Sequence, residues 1–144
     1  MSQTKAEYAE LPEFLDIARK LIKKHPDVFG PVDVSLIQCV AIMNKPRKEE
    51  AQEIKIVSVP MPIRMNCPYA YYITLHNEDW VDRDEVHRQY LVAEALMYID
   101  PEEEGKIRKP DAQYFNVMLR TFGPDHQEKP VLPDLLSETI KWVK

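Results

Sequence analysis

Residues 69–115 read YAYYITLHNEDWVDRDEVHRQYLVAEALMYIDPEEEGKIRKPDAQYF, and the run from 69 to 100 is the longest in the chain without proline or glycine. Its opening, YAYYITLH (69–76), is rich in aromatic and β-branched residues and predicts a strand. Asp82 is followed three residues later by Glu85, a capping-box-like start with Asp82 as the cap. Val86, Tyr90, Ala93, Leu96 and Met97 then line one face of a helix ending near Asp100. A strand running into a long helix, with no returning strand after it, sets the class.

Upstream, Tyr8, Leu11, Phe14, Leu15, Ala18, Leu21, Ile22 and His25 recur at helical spacing, opposite Glu13, Arg19, Lys20, Lys23 and Lys24. That is an amphipathic helix closed by Pro26, its lysines complementing the C-terminal dipole. VDVSLIQCVAIMNK (32–45) is apolar on both faces and predicts a buried strand. The charged connector KPRKEEAQ leads to EIKIVSVP (53–60), a half-buried strand, and PMPIRMNCP is too proline-rich to be regular. Downstream, DPEEEGKIRKP is a loop. Asp111 caps a helix with Phe115, Met118, Leu119 and Phe122 inward, stopped by Gly123 and Pro124. A last short helix over about 133–143 follows from Leu132, Leu136, Ile140 and Val143, with Trp142 beside them. The order α-β-β-β-α-α-α is segregated, so the class is α+β with a small three-stranded sheet, in one domain spanning 1–144 with its core over about 10–123.

Composition narrows the function. The chain has 144 residues, 44% hydrophobic and 30% charged, which excludes disorder as the main state. Charge sums to 19 − 24 = −5, against general nucleic-acid binding. With 3 glycines against 12 prolines, no P-loop or GxGxxG fingerprint exists. Cys39 and Cys67 form no CxxC and no disulfide framework. The opening MSQTKAEYAELPEF has no apolar core of a signal peptide, and no stretch approaches a membrane span, so the expected compartment is the cytoplasm.

Candidate chemistry is sparse. His25, His76, His87 and His126 fall on four different elements: His25 reads as a helix-end dipole partner, His76 as a strand end and His126 as solvated. His87 and Glu94 share a helix face but stand seven residues apart, too far for a metal pair without a third ligand. Glu102, Glu103 and Glu104 are a solvated charge run, and Ser2, Ser35, Ser58 and Ser137 lack a nucleophile elbow. Cys39 reads as core. Tyr69, Tyr71 and Tyr72 favour packing over a base-stacking platform.

The stretch 69–115 nevertheless resembles the phage metallopeptidase family, zincin-like proteins of bacteriophages and prophages. Its members carry an edge strand of the type D-F-x-I-x-I, a polar residue and a Trp, a helix with HExxH, a Gly-containing loop, and a His-Asp pair opening a helix with a Phe. Trp80, Gly105, Asp111 and Phe115 fall in register, and the preceding helix and two strands fit as well, so the likeness spans most of 10–123. Aligning Tyr98-Ile99-Asp100 with the family's H-I-D ending sets Glu94-Ala95-Leu96-Met97-Tyr98 over HExxH. The resemblance thus implies a zincin-like fold with Glu94 and Tyr98 at the zinc histidines, Ala95 at the general base, and Pro110 before Asp111 at the third histidine. A catalytic zinc needs three N, O or S ligands and a base for its water. The implied function is a pseudo-metallopeptidase: no catalytic residue, no metal and no cofactor, binding an unknown protein of host or phage in the bacterial cytoplasm. The resemblance offers Tyr71, Ile73 and Leu75 of the 69–76 strand as a peptide-binding edge. The alternative is an atypical metal-dependent peptidase using Glu94, Tyr98 and Asp111.

Overall fold

The structure, a computed structural model, describes residues 5–48, 53–100, 103–108, 116–122, 129 and 131–143. Pro12 fixes where the first helix starts. The residue before a proline is pushed out of helical geometry, and Leu11 sits at φ −120°, ψ 76°. Helix α1 therefore runs Pro12–Lys24, and the chain ahead of it forms strand β1, Tyr8–Glu10. Tyr8, expected on the helical face, lies exposed on that strand. The expected three-stranded sheet accordingly gains a fourth strand, which pairs antiparallel with β2, Ile37–Ile42.

The remaining strands are β3, Ile54–Ser58, and β4, Tyr71–His76, in the order β1-β2-β4-β3. β4 runs parallel to β2 and antiparallel to β3, so it is interior and not the edge strand expected of 69–76. Its composition explains the placement: Tyr71, Ile73 and Leu75 are buried and stand opposite Ile37, Cys39 and Ala41 of β2. β2 buries alternate residues rather than both faces. Burial pushes the Cys39 thiol up to about 12, an inert core sulfur.

Short helices α2 (Pro26–Phe29), α3 (Met61–Arg64, within the stretch expected to be irregular) and α4 (Asn77–Val81) punctuate the connections. The long helix α5 is Glu85–Met97, and its cap is Asp84 rather than Asp82, because α4 ends on Asp82. The Asp84 carboxylate accepts from the His87 amide at 2.8 Å and from the His87 ring at 2.7 Å. Trp80 is buried against Phe14, donates to Glu13 Oε2 at 3.1 Å and lies under the Arg88 guanidinium, which joins α4 and α5 to α1. Met118 is buried in α6, Asn116–Phe122, as its spacing implied. Asp111, Phe115, Gly123, Pro124 and His126 lie outside the described residues.

The expected helix over 133–143 does not form; a single turn at Leu135–Ser137 interrupts irregular backbone. Side chains have taken two groups such a helix would pair internally, the Leu135 carbonyl and the Val143 amide, and one it would leave open, the Leu135 amide. Gln89 Oε1 accepts from the Leu135 amide at 2.8 Å, the His25 ring donates to the Leu135 carbonyl at 2.6 Å, and Thr121 Oγ1 accepts from the Val143 amide at 2.9 Å. Leu135, not Leu136, is the fully buried leucine. Among the described residues no helix is long and apolar enough to cross a membrane.

Two outcomes follow. Leu135→Ala should cost about 2–5 kcal/mol in urea unfolding, and Leu136→Ala clearly less; equal costs would mean the segment is not seated as described. Hydrogen bonds from His87 hold the Asp84 carboxyl below its ordinary 3.8. A depressed carboxylate stabilises the fold above its unfolded value, and the contribution is lost as pH falls through the folded value. Asp84→Asn keeps an acceptor cap, so stability at neutral pH should change by less than about 0.5 kcal/mol while the fall in stability below about pH 4 becomes shallower.

Candidate functional site

Between Gln89 and Ile99 every residue is buried except Glu94 and Tyr98. These two stand four apart, so they share one stripe of α5. Ala95, beside them, is 0% exposed. Just beyond the helix the chain folds back through an Ile99–Ile107 bridge, with Gly105 at φ 84° making the turn. The Gly105 amide donates to the Tyr71 hydroxyl at 2.8 Å, and that hydroxyl donates to the Lys106 carbonyl at 3.1 Å. Arg108 caps the last turn by donating through Nε and Nη2 to the Met97 carbonyl at 3.0 and 2.7 Å. Tyr71 is therefore a core strut that fixes this loop.

Charge gathers near the open stripe. Arg83, just before the α5 cap, pairs with Glu53 at the head of β3. Arg47 reaches the same carboxylate at 3.8 Å and Asp79 of α4 at 2.8 Å. Burial pulls the Arg83 guanidinium down, as does the like charge of Arg47, while Glu94 pulls it back up. Burial pushes the Tyr98 phenol up, and the Glu94 carboxylate adds to that. Glu94 thus lies within electrostatic reach of both a guanidinium and a neutral phenol. The pairings tie β3, the 45–48 connector and α4 to the approach of α5.

The described residues do not fit a catalytic zinc. Among the described residues no group of three His, Cys, Asp or Glu side chains could hold a metal ion. The described histidines are committed elsewhere. His25 bridges Leu135 and Trp142, His76 contacts the Lys45 carbonyl at 2.9 Å, and His87 contacts Asp84 and the Lys129 carbonyl at 2.7 Å. A guanidinium beside Glu94 also repels a divalent cation. Pro110 and Asp111, set by the resemblance near this site, lie outside the described residues.

The structure therefore brings Glu94 and Tyr98 together and seals Ala95, and it places Tyr71, Ile73 and Leu75 in the core rather than on an edge. Arg47, Glu53, Asp79 and Arg83 were not singled out by sequence reasoning. Their only sequence signal is a lone arginine inside the acidic run Asp82-Arg83-Asp84, which pattern reading treats as surface.

A family model described as "Putative phage metallopeptidase" matches residues 6–139. The chain belongs to that family. No curated protein and no solved structure matches it. The family model begins ahead of β1 and extends past the turn at Leu135, so the fourth strand and most of the C-terminal segment lie within the family match.

Removing the cation from this family member's site tests the pairing. Arg83→Met should cost about 2 kcal/mol of stability, since a charged hydrogen-bond partner is lost. The double variant with Glu53→Gln should recover part of it, with a coupling of about 0.5–3 kcal/mol in denaturant unfolding. Strict additivity would show that Arg83 and Glu53 do not act together.

Proposed function

We propose that this member of the phage metallopeptidase family is a zincin-like pseudoenzyme that works as a protein-binding module. The observation that carries the reading is Ala95, fully buried at the position the resemblance assigns to the general base. A methyl group takes no proton from water, whatever ligands stand nearby. The Arg83–Glu53 pair supports it further, since a guanidinium near Glu94 supplies positive charge without a vacant coordination position.

The binding surface in this reading is the free edge of β3, which replaces the strand at 69–76. Beside it, Val57, Met61 and Ile63 are exposed and Met65 is 85% exposed. An extended segment of a partner protein adds to such an edge through main-chain hydrogen bonds, with apolar side chains meeting the methionines. The net charge of −5 favours a neutral or basic protein of host or phage over nucleic acid. The proposed compartment is the host cytoplasm.

The test is metal content with a peptidase assay, on protein purified without chelator or His-tag, offered excess zinc and dialysed. The reading expects far less than one zinc per chain and no peptide hydrolysis. Near-stoichiometric zinc that disappears in Glu94→Ala, with hydrolysis, would establish the atypical peptidase built on Glu94, Tyr98 and Asp111 instead.

A further inference from the structure

His25 is 5% exposed, and both of its ring nitrogens are engaged. Nε2 lies 2.6 Å from the Leu135 carbonyl oxygen, a group that only accepts, so Nε2 carries a proton. Nδ1 lies 3.2 Å from Trp142 Nε1, an indole N–H that only donates, so Nδ1 is bare. The docked ring is therefore the neutral Nε2–H tautomer. Phe29 and Trp142 pack edge-on around it at centroid distances of 6.4 and 5.4 Å, and Phe122 closes on Trp142 at 5.5 Å.

We propose that His25 and Trp142 form an acid-sensitive latch that holds residues 131–143 against α1, α5 and α6. A second proton on the imidazole would sit on Nδ1, facing the indole N–H. Two donors would then oppose each other in an aromatic enclosure that water barely reaches. Both hydrogen bonds of the ring go to neutral groups, so among the described residues neither hydrogen-bond partner compensates the new charge.

The described charged groups on the surrounding elements do not change this. On α1, Lys23 and Lys24 are exposed and of like sign; on α2 the nearest is Asp27, also exposed. On the 131–143 segment, the Asp134 carboxylate accepts from the Leu136 and Ser137 amides, Glu138 accepts from the Asp134 amide, and Lys141 is exposed. On α6, Arg120 is exposed. The other anchors, Tyr90 to the Pro133 carbonyl, Gln89 to the Leu135 amide and Thr121 to the Val143 amide, do not change charge between about pH 5 and pH 8. His87 on α5 sets both ring nitrogens against acceptors, the Asp84 carboxylate and the Lys129 carbonyl, so a second proton strengthens that anchor; acid therefore loosens the segment through His25.

The experiment is a nitrogen-15 titration of the full chain from about pH 8 to about pH 5. It follows the His25 ring nitrogens and the two indole N–H signals, with Trp142→Phe assigning Trp142 and Trp80 serving as reference. The latch predicts the Nε2–H tautomer at the alkaline end. It also predicts that the Trp142 indole shifts with His25 protonation and exchanges about tenfold faster relative to Trp80. Thr121→Ala, which loosens the segment without touching the ring, should move that transition to higher pH. The opposite tautomer, a Trp142 signal unmoved while His25 titrates, a transition unaltered by Thr121→Ala, or both indoles moving together as in global unfolding would each overturn it.

Discussion

From Gln89 onward, helix α5 passes through the core with almost no polar face, and that single constraint organises the molecule. A helix apolar on most sides must be covered on most sides. β2 and β4 contribute a layer of alternate buried residues, α1 contributes Phe14, Ile17, Ala18 and Leu21, and the 131–143 segment contributes Leu135. Each cover is then secured by a polar group that burial obliges to find a partner. Trp80 reaches Glu13, Gln89 reaches Leu135, Tyr90 reaches Pro133, and Arg108 reaches the end of α5 itself. These bonds specify where the covers sit; the area they bury supplies most of the stability.

What the stretch from Gln89 to Ile99 leaves open is one stripe, Glu94 and Tyr98, and the chemistry available there follows from what surrounds it. A zinc centre in a protein of this family would need imidazoles and a carboxylate base. This chain places a carboxylate, a phenol and a nearby guanidinium paired to the head of β3. In the proposed reading, such a set disfavours a divalent cation through charge. The Arg83–Glu53 pair ties β3 to the start of α5, so charge beside this stripe also serves cohesion.

Much of this was legible in the sequence. The α+β class, α1, the strands at 37–42, 54–58 and 71–76, the helix at 85–97 and the family itself follow from periodicity, proline placement and the 69–115 motif. The failures have physical causes. Tyr8 fits the helical stripe of α1, but Pro12 blocks the helix from reaching it. The strand at 71–76 was assigned to an edge by analogy, while its own apolar residues suit the interior position it occupies. Leu132, Leu136, Ile140 and Val143 repeat at helical spacing, yet His25 and Thr121, distant in sequence, capture backbone groups a helix would need. The Arg47–Glu53–Arg83 cluster was invisible because its members come from separate elements and each reads alone as a solvated charge.

The proposed reading is that Arg83 and Glu53, rather than a metal ion, settle the charge around Glu94 and Tyr98. The most direct measurement is a crystal structure of protein grown in excess zinc, with anomalous differences collected at the zinc edge. The account predicts no peak within coordination distance of Glu94 and Tyr98, with Arg83 still paired to Glu53. A peak bridging Glu94 and Tyr98, with the Arg83 side chain swung away, would contradict it.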